Sequence, residues 1–221
     1  MSLCNLIVQP DCAYLVTDSG FFTDDGTVIA LHPKTMVMTE LSLAVAAVGS
    51  LHLGYLGRVI SEMSFRSQND FLRRMPEIVR RAYEVSGFDP VERWGRIMVA
   101  FYSHKQERAF GGTLWTAPDA GPADKLPWGF YPAGLALLPH VDQRQALGAD
   151  VKLTDPFEFN PRRDVMPLVH AQRQARSNWD SMSDGTCGIA GDIELTAVSR
   201  HGVETTVIHS YPDEVGRKAA A

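Results

Sequence analysis

Two apolar runs, residues 3–9 and 12–16, are separated only by Pro10-Asp11. With so short a turn between them, both can be buried together only by folding back as an antiparallel hairpin. The second run closes on Thr17-Asp18-Ser19-Gly20, and another turn, Thr23-Asp24-Asp25-Gly26, leads into a short strand at 28–31. Residues 36–38 and 41–48 read as two more strands around Thr39-Glu40. The 41–48 run is almost continuously apolar, which predicts a strand buried on both faces.

Ser50 is placed to cap a helix carrying Leu53, Leu56, Val59, Ile60 and Met63 on one face. A second helix is expected over 70–86, with Met75, Ile78, Val79 and Ala82 inward and Gly87 as its stop. Pro76 either kinks that helix or marks its first turn. Strands follow at 96–103 and 109–116, then a Pro/Gly/Asp-rich loop at 117–128 and one further strand over 129–138. A short helix near 143–147 and a helix over 164–179, with Pro167 in its first turn, come next. A final hairpin pairs 192–199 with 203–209 around Arg200-His201-Gly202. The order is strands, helices, strands, helices, strands. It lacks the alternation of a doubly wound parallel sheet and suits two antiparallel sheets with helices outside them. One domain is expected over 1–212, with a loose tail at 213–221.

A 45% apolar composition supports a sizeable core. The net charge of −5 disfavours a nucleic-acid surface, which needs a basic stripe. No apolar stretch reaches the roughly 18 residues of a membrane span, and, with no basic n-region ahead of a long apolar run, no signal peptide is expected. Three scattered cysteines (Cys4, Cys12, Cys187) make no disulfide framework, so a reduced, cytoplasmic protein is expected. His32, His52, His104, His140, His170, His201 and His209 show no metal-ligand spacing. With no Walker loop or dinucleotide fingerprint either, no cofactor is expected. Trp115 and Trp128 flank the 117–128 loop as core or interface residues. Arg162, Arg163, Arg173 and Arg176 read as a solvated face.

The residues able to carry chemistry gather in the first fifty positions. A hydroxyl is a poor nucleophile until a base takes its proton, and an α-amine, with an ordinary pKa of ~7.7–8.0, is suited to that task. Removal of Met1 would leave Ser2 holding nucleophile and base in one residue. Asp18 is placed to orient that amine or to pair with Lys34, or else simply caps a turn. Lys34 would lower the amine's pKa and stabilise a developing alkoxide, or is a solvated loop lysine. Gly49, where a strand turns into a helix, offers a backbone N–H to an oxyanion, or is only a glycine ahead of a helix.

Taken together, the segment resembles the proteasome β-subunit family of N-terminal-nucleophile (Ntn) hydrolases, including its bacterial ATP-dependent two-component relative. In that family the mature chain opens on threonine, with an aspartate sixteen and a lysine thirty-two residues later. Asp18 and Lys34 stand at those distances from Ser2, and Ala47-Val48-Gly49-Ser50 is similar to the family's turn into its first helix. More weakly, the likeness extends over residues 2–210. Asp184-Gly185-Thr186-Cys187-Gly188 is similar to the family's Asp-x-x-Ser-Gly, in which the aspartate supports the amine.

The resemblance implies an α+β, four-layer αββα sandwich, hydrolysis of a peptide or amide substrate, and assembly of copies of the chain, often into rings. The implied catalytic set is Ser2, Asp18, Lys34, Gly49 and Asp184. The departures are serine for threonine at the nucleophile, Cys187 where serine is expected, and no Gly-Ser-Gly within 130–138. Were Met1-Ser2-Leu3 a leader, the chain would open on Met-Cys and Cys4 would be the nucleophile. The alternative to an enzyme is an inactive assembly or scaffold subunit on the same fold.

Overall fold

A computed structural model describes residues 2–148, 152–174 and 187–219. The opening hairpin is β1 (Cys4–Val8) and β2 (Cys12–Asp18), with β3 (Gly20–Phe22) and β4 (Val28–Leu31) as a second, smaller one. Then come β5 (Thr35–Met38), β6 (Leu43–Gly49), α1 (Leu53–Ser61) and α2 (Gln68–Ser86). Strands β7 (Gly95–Ser103), β8 (Arg108–Trp115), β9 (Tyr131–Pro132) and β10 (Leu135–Leu138) follow. Helices α3 (Gln143–Leu147) and α4 (Pro161–Gln174) precede the closing hairpin of β11 (Asp192–Ser199) and β12 (Gly202–Ser210).

Two five-stranded antiparallel sheets result, ordered β10-β1-β2-β11-β12 and β5-β6-β7-β8-β9. Strand periodicity explains how they stack, because successive side chains face opposite ways. Along β6, Leu43, Val45 and Ala47 pack against α1 and α2 through Leu56, Val59, Phe71, Met75 and Ile78. Ala44, Ala46 and Val48 turn the other way and meet Cys4, Leu6, Ala13 and Leu15 of the first sheet. That sheet's outer residues Leu3, Ile7, Val16 and Ile193 pack under Val165, Leu168 and Val169 of α4. The fold is thus a four-layer αββα sandwich. The small aliphatic residues of β6 and β2 let the two sheets approach closely, since interiors pack without voids. No described helix is long and apolar enough to cross a membrane.

Several local expectations are corrected. Residues 129–138 form two strands in different sheets. Pro132 pairs with Gly112, whereas Leu135–Leu138 pairs with Ile7 to Cys4. Between them Ala133 donates to the Gly111 carbonyl and the Gly134 carbonyl accepts from Val8, so the chain steps from one sheet to the other. Ser50 does not cap α1: His52 holds the N-cap position without a side-chain bond, and the Ser50 N–H donates to the Trp94 carbonyl at 2.9 Å. Helix α2 starts at its Ser67 cap and runs through Pro76, which therefore does not mark its first turn. The apolar face from Phe71 to Tyr83 holds it together across the missing N–H. Gly87, at φ +71°, ends it as expected.

Residues 213–219 are not loose. Asp213 forms a buried ion pair with Arg173, Gly216 donates to the Val28 carbonyl, and Ala219, 1% exposed, accepts from Cys187 N–H. Arg173 is accordingly not on a solvated face. Arg163 is exposed, and Arg176 lies outside the described residues.

Candidate active site

Asp18 is the last residue of β2, a strand held between β1 and β11, so its carboxylate emerges where the sheet ends. It is fully buried and accepts four hydrogen bonds. Oδ1 takes Leu3 N–H at 2.8 Å and Lys34 Nζ at 2.7 Å; Oδ2 takes Gly20 N–H and Ala190 N–H, both at 3.1 Å. A carboxylate so surrounded is tolerated in the interior because each lone pair has a donor. Leu3 is the residue after Ser2, so this bond anchors the start of the chain on the carboxylate.

Lys34 lies between β4 and β5, with its carbonyl accepting from Ala47 N–H at 3.3 Å, and its side chain is 2% exposed. Burial pushes its pKa below the ordinary lysine value, while the Asp18 charge and hydrogen bond oppose that fall. Its ammonium also stands 5.1 Å from the centre of the Phe21 ring. Phe21 in turn stacks on His52, with centroids 4.9 Å apart and planes 14° from parallel. Burial, then the Lys34 charge, lowers the His52 pKa.

A cavity of about 190 Å³ opens at the stacked Phe21 and His52 rings; Ser2 and Gly49 both line it, and Asp18 and Lys34 do not. Its walls include Phe21, Phe22, Phe88 and Trp94, with His52 and Arg93 among the polar groups. Gly49 carries φ +88°, and a Cβ there would sit 2.4 Å from the Trp94 carbonyl oxygen. Val48, Gly49 and Ser50 all line the cavity, and the Ser50 N–H is already bonded to that carbonyl. Gly49→Ala is expected to lower stability by more than about 1 kcal/mol, read as a fall in thermal midpoint. A midpoint equal to that of the unmodified chain would show that the turn is not strained.

Cys4 is elsewhere. It is fully buried between the sheets, donates to Met98 Sδ at 3.4 Å, and its thiol is pushed up to about 12, chiefly by burial. It is not among the cavity-lining residues, and a thiol so far from ionisation is a poor nucleophile. Asp184 lies outside the described residues. Cys187 is buried and donates to the Ile189 carbonyl at 3.2 Å. Among the described residues no three His, Cys, Asp or Glu side chains group into a metal site.

Sequence reasoning missed His52, Phe88, Arg93 and Trp94 as cavity residues, and Ala190 as a donor to Asp18. Phe88, Arg93 and Trp94 come from the connection after α2, with no motif to flag them. Ala190 acts through its backbone, which leaves no residue-type signal.

No protein-family model and no curated protein matches the sequence. Among solved structures, the chain is similar to a Gly-1 mutant of Anbu from Hyphomicrobium sp. strain MC1. The TM-score is 0.61 at 10% identity, covering 97% of this chain and 89% of that one. It is likewise similar to Anbu from Yersinia bercovieri, described as an ancestral β-subunit, with a TM-score of 0.60 at 10% identity over 95% of this chain and 88% of the other. The likeness is one of architecture: this chain has the fold of Anbu, a proteasome-like sandwich of two antiparallel sheets between helical layers.

Proposed function

We propose that this protein is an Ntn amidohydrolase acting on peptide or amide bonds, with Ser2 as nucleophile once Met1 is removed. The observation that carries the reading is the buried Asp18–Lys34 pair, bonded to the backbone of the residue after Ser2 and separated by the Phe21 ring from a cavity that Ser2 lines. A buried ion pair is weak support for stability alone, so its position beside a candidate nucleophile favours a chemical role.

In this reading the Ser2 α-amine takes the hydroxyl proton as Oγ attacks the substrate carbonyl carbon. The C=O π electrons move onto oxygen, and the Gly49 N–H stabilises that oxyanion. The proton then passes to the departing amine as the C–N bond breaks, leaving an ester on Ser2. Water, deprotonated by the same amine, hydrolyses the ester. Lys34 as ammonium keeps the neighbouring amine neutral by like-charge repulsion and steadies the alkoxide. Asp184 is the further carboxylate assigned to support the amine.

The second Anbu's description as a β-subunit supports assembly of this chain with copies of itself. Cys4 and Cys12 are buried free thiols, which suits a reducing compartment such as the cytoplasm.

The test is hydrolysis of fluorogenic peptide amides by the full chain and by Ser2→Ala, with intact mass recording loss of the initiator methionine. Equal rates for both proteins would reject the reading. The pH profile gives an independent check. The amine must be neutral, so activity should rise with pH toward ~7.7–8.0 or below. Lys34 must be charged, and its depressed pKa means it loses its proton sooner as pH rises. The alkaline decline should therefore begin below 10.5, the ordinary lysine value. A profile flat through the alkaline range would remove Lys34 from the mechanism.

A further inference from the structure

The peptide that supplies one of Asp18's donors is gripped from its other side. Along residues 189–192, alternate backbone groups point in two directions. Toward the site, Ala190 N–H donates to Asp18 Oδ2 at 3.1 Å and Asp192 N–H to Ser19 Oγ at 2.9 Å. Away from it, the Ile189 carbonyl accepts from Arg173 Nη1 at 2.6 Å, and Gly191 N–H donates to Asp213 Oδ2 at 3.1 Å. The Gly191 carbonyl accepts from Tyr211 N–H at 3.0 Å.

Arg173 and Asp213 close this side with two parallel bonds of 3.0 and 2.9 Å, and both side chains are under a tenth exposed. The guanidinium lies 3.7 Å from the centre of the Tyr211 ring. Gly191, at φ +71°, has no room for a side chain, because a Cβ would stand 2.4 Å from Ser19 Oγ. The ribbon is thus held between Asp18-Ser19 and the Arg173–Asp213 fork.

We infer that Arg173 and Asp213 are positioning residues for the reaction: they clamp residues 189–191 so that Ala190 N–H keeps the Asp18 carboxylate aligned on Lys34. The inference rests on the hydrolase reading above. A bidentate Arg–carboxylate fork is planar and geometrically specific, as a clamp requires. Displacements of about 1 Å remote from the reacting atoms are enough to slow a reaction by orders of magnitude. Arg173, Asp213, Tyr211 and Ala190 do not line the cavity. The clamp should therefore act on turnover and leave substrate binding alone.

The experiment compares the full chain, Ser2→Ala and Asp213→Asn in steady-state hydrolysis, with a crystal structure of Asp213→Asn. Arg173→Lys, which keeps the charge and loses the fork, serves if the asparagine variant does not fold. The expected result is a kcat lower by about tenfold or more with KM within about twofold. Ala190 N should also lie beyond about 3.5 Å from Asp18 Oδ2. An unchanged kcat, a loss carried by KM, or an intact Ala190–Asp18 bond in a slowed variant would each overturn the inference. If the full chain is no faster than Ser2→Ala, the hydrolase reading falls by itself. The variant's Ala190–Asp18 contact then decides the clamp: opened supports it, intact rejects it.

Discussion

Asp18→Ala is expected to lower folding stability by about 3–5 kcal/mol at neutral pH, the penalty for leaving one partner of a buried ion pair uncompensated. Lys34 would remain 2% exposed with its carboxylate gone, and Leu3, Gly20 and Ala190 would each lose an acceptor. The pH dependence has a definite sign. The lysine pKa is already lowered in the folded chain, and losing Asp18 removes the largest influence raising it. Above that lowered value the unfolded state binds more protons than the folded state, so the variant's stability should rise with pH until the unfolded lysine also titrates. Replacing both partners, Asp18→Ala with Lys34→Met, should recover much of the loss, because no charge is then buried. Urea unfolding of the three proteins at neutral and alkaline pH would measure this. A single variant within about 1 kcal/mol of the unmodified chain would mean that water reaches the pair.

Ser2→Ala should lower kcat/KM by about 10⁴-fold or more, the scale on which a nucleophile–base unit fails when its nucleophile is removed. The fold should survive, since Ser2 is only half buried and is anchored through the backbone of Leu3. Ser2→Thr should keep the activity, because the hydroxyl and the α-amine are both retained. Cys4→Ala should hydrolyse the same substrates at close to the normal rate, because the thiol faces Met98 in the core. Loss of activity in Cys4→Ala with retention in Ser2→Ala would move the nucleophile to Cys4.

Where the sequence misled, two competing local signals were present and tertiary contacts chose between them. Residues 129–138 look like one strand because Phe130, Tyr131, Leu135, Leu137 and Leu138 share one composition. The partners Gly112 and Ile7 lie in different sheets, and nothing within the segment records that. Pro76 disfavours a helix interior, yet seven buried residues of α2 outweigh it. Arg173 looks like its neighbours Arg162 and Arg163. It differs only because Asp213, forty residues on, reaches it.

Most of the strands, the antiparallel hairpins that open and close the chain, and the stop of α2 at Gly87 were determined by the sequence itself. Turn residues and apolar periodicity act over a few positions and need no distant partner. The spacing of Asp18 and Lys34 from Ser2 also stood in the sequence, as did the glycine at 49. That Asp18 and Lys34 meet at 2.7 Å inside the protein was decided by the tertiary structure. So was the closure of the cavity by Phe88 and Trp94, and so was the grip of residues 189–191 from two sides. A buried charge is stable only when its partners arrive from other parts of the chain, and their arrival depends on packing between layers that no single segment contains.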